Sequence, residues 1–239
     1  MKAPNTGDRP RFPAWHRGKR GLSPVFAVLV LLTATFAAAQ TLEPVVVTAT
    51  RLPKPGFDVP AAIDSIDARV IREDNAQVNL SETLNRIPGI VVQNRQNYAQ
   101  DLQISSRGFG ARSTFGVRGV RLIEDGIPAT MPDGQGQAAS FDLGSADRIE
   151  VLRGPFASLY GNSSGGVVQI FTADGPARPT IDAMTLFGSY GLRRNSVRFG
   201  GQQGAINYSG NVAHFETDGY RDHSGALRDS ANVKLRTNV

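Results

Sequence analysis

The sequence predicts a small α+β domain with a mixed sheet and short helices, followed by antiparallel strands with one apolar and one polar side. Three observations carry this expectation. Between Arg107 and Thr172, short apolar runs are punctuated by glycines, with arginines and acids inside or beside them. Upstream, the stretch from Ala61 to Gly89 holds two helix-start signals. Beyond Pro179, apolar residues recur with period two.

The chain opens on a basic head of Lys2, Arg9, Arg11, Arg17, Lys19 and Arg20. Leu22 to Ala37 is uncharged, and Ala37-Ala38-Ala39 offers small residues at cleavage positions. Residues 1–39 therefore read as a secretory signal peptide cut after Ala39. The alternative, an uncleaved anchor helix, has a short apolar run for a membrane span. There is no cysteine, so there is neither a disulfide framework nor a cysteine for lipid attachment. Of 26 basic and 21 acidic residues, six basic ones and Asp8 precede residue 40, leaving 20 of each. The positive charge belongs to the head, and the mature chain lacks the footprint of a nucleic-acid binder.

Residues 40–60 contain Glu43-Pro-Val-Val-Val-Thr-Ala-Thr-Arg51 and then Pro53, Pro55, Gly56 and Pro60. Consecutive valines and a threonine favour an extended backbone. The flanking prolines keep it out of the domain's own sheet and mark a linker. Such a segment suits capture by a partner's sheet edge, the alternative being a first strand of the folded domain.

Residues 61–175 form the predicted α+β domain. Asp67 can cap a short helix through Val70 and Ile71. Asn79 and Glu82 have capping-box spacing, Leu80, Leu84 and Ile87 share one face, and Pro88-Gly89 is the stop. Strands are expected at Ile90–Gln93, Leu102–Ser105, Val120–Ile123, Ile149–Leu152 and Val167–Thr172. Asp125-Gly126 favours a tight turn, and Pro155 can begin a helical turn after Arg153-Gly154. Residues 176–239 supply four alternating strands, at Ile181–Tyr190, Arg194–Gly201, Ala205–Glu216 and Ala231–Val239. Alternation alone fits either the wall of a transmembrane barrel or a soluble antiparallel sheet.

Five phrases occur in order: Arg107-Gly-Phe-Gly110, Phe115-Gly-Val-Arg-Gly-Val-Arg-Leu122, Glu124-Asp-Gly-Ile-Pro128, Ile149-Glu-Val-Leu-Arg-Gly-Pro155 and Leu159-Tyr-Gly-Asn-Ser-Ser-Gly-Gly-Val167. Together they resemble the plug domain of TonB-dependent outer-membrane receptors. The resemblance implies that Val45, Val46, Val47, Thr48 and Ala49 are a TonB box, to which the periplasmic TonB protein adds a strand. It implies that the alternating strands begin a transmembrane β-barrel embedded in outer-membrane lipid. Four strands cannot close a barrel, and the run is still alternating at Val239, so the chain reads as part of a longer receptor. Arg107, Arg118, Glu150 and Arg153 are expected to form ion pairs with the barrel's inner wall. The loops carrying Arg112, Ser113, Phe115, Met131, Asp133, Gln135 and Gln137 are expected to contact an extracellular ligand. Met131-Pro-Asp-Gly-Gln-Gly-Gln137 is similar to ferric citrate and related siderophore receptors, with cobalamin, copper or a sugar left open. No covalently bound cofactor is implied.

A catalytic reading finds little support. Gly161-Asn-Ser-Ser-Gly165 matches a nucleophile elbow, and Asp174 or Asp182 with His214 or His223 would complete an order of serine, acid, histidine. An elbow needs a strand before the serine and a helix after it, whereas Val167–Thr172 is strongly strand-forming. Neither His214 nor His223 has a second histidine at ligand spacing. The sequence therefore predicts a receptor and not an enzyme, the alternatives being a soluble secreted binding or adhesion module and a serine hydrolase using Ser163.

Overall fold

The computed structural model describes residues 46–47, 54–55, 59, 61–73, 75–98, 100–161 and 163–237. The chain divides into units Met1–Glu43 and Pro44–Val239, and all described residues lie in the second. The expected signal peptide falls outside them, as do Val45, Thr48 and Ala49.

The first described strands, β1 (Val46–Val47) and β2 (Lys54–Pro55), form a small antiparallel ladder in which Val46 faces Pro55 and Val47 faces Lys54. Val46-Val47 was expected to stay unpaired, yet it pairs with its own linker. Pro55 lies nine positions after Val46, enough chain for the segment to fold back on itself.

The α+β domain is organised by a five-stranded sheet in the order β3-β8-β9-β6-β7. Its strands are β3 (Ala62–Asp67), β6 (Arg121–Glu124), β7 (Ile127–Pro128), β8 (Ala146–Arg153) and β9 (Val167–Thr172). Only β6 and β9 run parallel; the other pairs are antiparallel. A separate hairpin joins β4 (Ile90–Gln93) to β5 (Gln103–Ser106). Helices α1 (Ala68–Arg72) and α2 (Ser81–Leu84) are each about one turn. The main core spans these elements except β7, with Ile71, Leu84, Ile104, Leu122, Ile149 and Ile170 fully buried, and a smaller cluster joins Ile123, Leu152, Ala157 and Val167.

Asp67 stands at the N-cap of α1 as expected, but its side chain makes no cap hydrogen bond. The capping box at Asn79 and Glu82 is half built. Glu82 accepts the backbone N–H groups of Gln77 at 2.6 Å, Val78 at 2.9 Å and Asn79 at 2.8 Å, and the N-cap position falls to Leu80. A carboxylate holding three amides of the turn before its own helix leaves the Asn79 side chain no role there. Strand β3 is an addition that the sequence did not suggest. Ile63 and Ile66 sit at a helix-like spacing beside two aspartates, and the strand exists because six residues pair with β8. Pro155 begins a 3₁₀ helix of about two turns, Pro155–Tyr160, as expected.

Gly166 illustrates how tightly β9 enters the sheet. Its φ is +108°, and a Cβ there would lie 2.4 Å from the carbonyl oxygen of Leu152. Neither can yield, since Leu152 is held in the ladder of β8. Gly166→Ala is expected to destabilise this domain by about 2–3 kcal/mol, read as a lower urea midpoint in the full-length protein; an unchanged midpoint would contradict the geometry.

Strands β10 (Thr180–Phe187), β11 (Arg193–Gln203), β12 (Ile206–Thr217) and β13 (Ala226–Thr237) form an antiparallel meander in sequence order. β13 starts five residues earlier than expected. Asp229 hides its beginning, because it lies on the outward face, where its carboxylate meets His214 Nδ1 at 2.6 Å. The alternation is otherwise kept. Rows such as Ile181, Phe199, Gly210 and Val233 face away from the domain, with Ile181 77% and Val233 63% exposed. The opposite face, with Arg194, Asn211, Ala213 and Phe215, is buried against the α+β domain. No helix among the described residues is long and apolar enough to cross a membrane, which says nothing about strands.

Candidate functional site

The densest polar chemistry lies at the seam between the α+β domain and the meander. Period two places Asn207, Ser209 and Asn211 of β12 on one face, and each of them bonds the domain or the segment leaving it. Asn207 exchanges hydrogen bonds with the Gly175 backbone at 2.7 and 2.8 Å, and the Ser209 hydroxyl donates to the Ala173 carbonyl at 2.7 Å. The Asn211 amide donates to both carboxylate oxygens of Asp142, at 2.9 and 3.0 Å. Asn211 and Asp142 are both buried.

Cations on neighbouring strands extend the seam. Arg194 of β11, 2% exposed, donates from one guanidinium nitrogen to the carbonyls of Ala76 at 2.5 Å and Gln77 at 2.9 Å. Arg228 of β13 reaches the carbonyls of Val78 at 3.2 Å and Phe141 at 3.4 Å. Lys234 donates to the Thr172 carbonyl at 3.0 Å and lies 3.0 Å from Asp174 and 3.7 Å from Asp125. Arg236 pairs with Asp174 at 2.9 Å. Burial raises the proton affinity of Asp174, but the bonds and charges of Lys234 and Arg236 outweigh it and hold that carboxyl below its ordinary range. One aromatic contact closes the seam, Tyr98 against Phe215 at 5.1 Å between ring centroids.

Along the four described strands the seam has a consistent charge pattern. Cations come from the strands, and the domain supplies carbonyls and carboxylates. Among the described residues, two of the arginines expected to reach the wall, Arg118 and Arg153, pair within the domain. Arg118 pairs with Asp133 at 3.2 Å and with the Gln135 side chain at 3.2 Å, both in the adjacent loop. Arg153 bonds the Pro88 carbonyl at 2.5 Å and pairs with Asp64 of β3. Glu150, 2% exposed, accepts from Arg148 at 2.8 Å, and Arg148 also lies 4.0 Å over the Phe171 ring. Arg107 is exposed at φ +49°, its N–H bonded to the Gly89 carbonyl at 2.8 Å. Arg153 and Glu150 are thereby tied into the domain's own sheet, whereas Arg107 and Arg118 stay exposed. A signal for the true seam was present, since Arg194, Arg198, Arg228, Lys234 and Arg236 share the polar phase of their strands.

The expected ligand loops do come together. Val117 pairs with Gly136, and Thr130 with the same glycine, which sets the loop 111–117 beside the loop 130–137. The Ser113 hydroxyl donates to the carbonyls of Phe115 at 3.1 Å and Gly116 at 2.8 Å, fixing the first loop. Met131 and Gln135 close the second, with the Met131 N–H on the Gln135 carbonyl at 2.8 Å. Arg112, Phe115, Met131, Asp133 and Gln137 are exposed there. The serine constellation does not assemble: a 3₁₀ helix precedes Ser163 and strand β9 follows it, whereas His214 belongs to the outward face of β12. Among the described residues, no group of three or more His, Asp or Glu side chains is placed to hold a metal ion.

Residues 55–168 match the family described as TonB-dependent Receptor Plug Domain, and this part of the chain belongs to that family. The architecture is that of a plug with a mixed sheet and few helices, followed by antiparallel strands, as in the N-terminal part of TonB-dependent receptors. The vitamin B12 transporter BtuB of Photobacterium profundum is 32% identical over 174 residues, covering 72% of this chain and 27% of that protein. The hemin receptor of Yersinia enterocolitica is 30% identical over 145 residues, covering 59% of this chain and 20% of the receptor. The pyoverdine outer membrane receptor FpvA of Pseudomonas aeruginosa PAO1, bound to pyoverdine, shares the fold. There the TM-score is 0.59 at 20% identity, covering 72% of this chain and 24% of FpvA. The chain thus matches only about a quarter of the length of such relatives, which are transporters and receptors.

Proposed function

We propose that the chain is the plug-bearing part of a TonB-dependent outer-membrane receptor that takes up a scarce extracellular ligand, most simply a ferric chelate. In this reading residues 1–39 direct export, 40–60 carry the coupling segment, 61–175 are the plug, and 176–239 begin the barrel. The observation that carries it is the seam. A compact domain rests on the polar face of an antiparallel meander whose other face is apolar along rows such as Ile181, Phe199 and Val233, as a barrel wall between lumen and lipid requires, and turns polar toward one hairpin end at Arg193, His214 and Glu216.

The seam's chemistry suits a stopper that must hold and also release. Its bonds are charge-assisted or neutral hydrogen bonds to carbonyls and carboxylates, strong when dry and replaceable by water once opened. A ligand on the apical loops and a pull on the coupling segment would act on the same plug from opposite ends. TonB would supply the pull by adding a strand at Val45 to Ala49.

For the ligand, Arg112 offers a charged donor and Phe115 an exposed ring, which suits the oxygen-rich groups and organic frame of a chelate such as ferric citrate or a siderophore. Relatives named for vitamin B12 and hemin support uptake and leave the chelate's chemistry to experiment. Arg112→Ala and Phe115→Ala in the full-length receptor are each expected to weaken binding of the transported chelate roughly tenfold, with plug stability unchanged. Equal binding by both variants would remove these loops from the site.

A further inference from the structure

Glu124 ends β6 opposite Ile127 of β7 and Ile170 of β9, half-buried, with one carboxyl oxygen shut away from solvent and lacking any hydrogen-bond partner. Its neighbours are acids. Asp125 follows it in the turn, and Asp142 approaches from the loop before β8. Both are occupied elsewhere. Asp125 accepts the Thr172 N–H at 2.9 Å and the Thr172 hydroxyl, while Asp142 accepts Gly144 N–H at 3.2 Å and the Asn211 amide.

The cations packed against this corner are committed too. Lys234 of β13 serves Asp174, Asp125 and the Thr172 carbonyl. Arg228 of β13 and Arg194 of β11 serve backbone carbonyls of the plug. Among the described residues no donor and no cation is bonded to Glu124. An ionised carboxylate here would face two like charges without compensation.

We propose that Glu124 is a proton-operated latch on the plug: its carboxyl is neutral while the plug sits against the strands and ionises when that seam opens to water. Burial first, then the charges of Asp125 and Asp142, push this carboxyl up to about 7 from its ordinary 4.5. Between those values the closed plug holds a proton that the opened plug gives up, so rising pH favours release. Asp174 has the opposite sign, but its contribution is lost only as pH falls below its ordinary 3.8, outside this window. The latch rests on the receptor reading only for its physiological meaning, a plug held more firmly in acid surroundings.

The test uses the full-length receptor in outer-membrane vesicles, with plug release followed by pulse proteolysis along a urea series at about pH 5.5 and about pH 8. The wild-type midpoint is expected to fall at the higher pH, corresponding to roughly tenfold easier release. Glu124→Gln and Glu124→Leu, which keep the carboxyl's volume without its charge, are expected to show the same midpoint at both values. Should either variant fail to fold, the other decides. Wild-type pH dependence persisting in the folded variant, or no pH dependence in the wild type, overturns the latch. Absence of energised uptake beside an intact pH effect would instead overturn the receptor reading alone.

Discussion

Val46→Pro is expected to abolish energised uptake by the full-length receptor while leaving ligand binding at its wild-type level. Proline has no N–H to offer a partner strand and its ring crowds the neighbouring residue, so a strand added at residues 45–49 would lose its ladder. Ligand binding is assigned to loops at 111–117 and 130–137, far along the chain from Val46. The β1–β2 ladder sharpens the expectation, because Val46 and Val47 already adopt strand pairing with Lys54 and Pro55. Their backbone is extended before any partner arrives, and a partner would have to displace the linker. Uptake measured with a labelled chelate in energised cells, beside binding to de-energised cells, separates the two effects. Uptake surviving the proline would sink the coupling assignment.

Arg194→Ala should have the largest effect on how firmly the plug is held. Arg194 is buried, and one nitrogen of its guanidinium bonds two plug carbonyls at 2.5 and 2.9 Å. Removing it leaves the carbonyls of Ala76 and Gln77 without their donor and opens a void beside Phe215, its partner in the register with β12. Losing hydrogen bonds to a charged donor in such a place costs about 2–4 kcal/mol. The urea midpoint for plug release should drop accordingly, whereas the meander, whose ladders do not involve the Arg194 side chain, should keep its own. Arg194→Lys is expected to recover part of the loss, since an ammonium can reach one carbonyl but lacks the planar fork. A midpoint unmoved by Arg194→Ala would show that the plug is held elsewhere.

Much of this arrangement was legible in the sequence. Ile90–Gln93 and Val167–Thr172 are strands at the expected bounds, because β-branched runs bounded by glycine and polar residues leave the backbone little alternative. Alternation in Asn207, Ser209 and Asn211 against Tyr208, Gly210 and Val212 correctly separated the plug-facing side of β12 from the outward side. Strand β3 and the early start of β13 were hidden for a shared reason: aspartates at 64, 67 and 229 break the apolar pattern. Asp64 and Asp229 are tolerated because the fold supplies each a partner on another strand, Arg153 and His214.

The charges show the boundary more sharply. That arginines and acids in the five glycine-rich phrases would be paired followed from the cost of leaving charge in a strand unpaired. Which acid each arginine meets did not follow. Arg153 finds Asp64, 89 positions away, and Asn211 finds Asp142, 69 positions away. The sequence by itself determined the plug's elements, the polarity of the strands and the family, since these depend on local backbone preference and on periodicity. Only the tertiary structure decided that strand cations grip plug carbonyls, that Arg153 turns inward to Asp64, and that Glu124 is left with like-charged neighbours. Pairing over such separations depends on which loops the sheet order brings together, and no local pattern encodes that order.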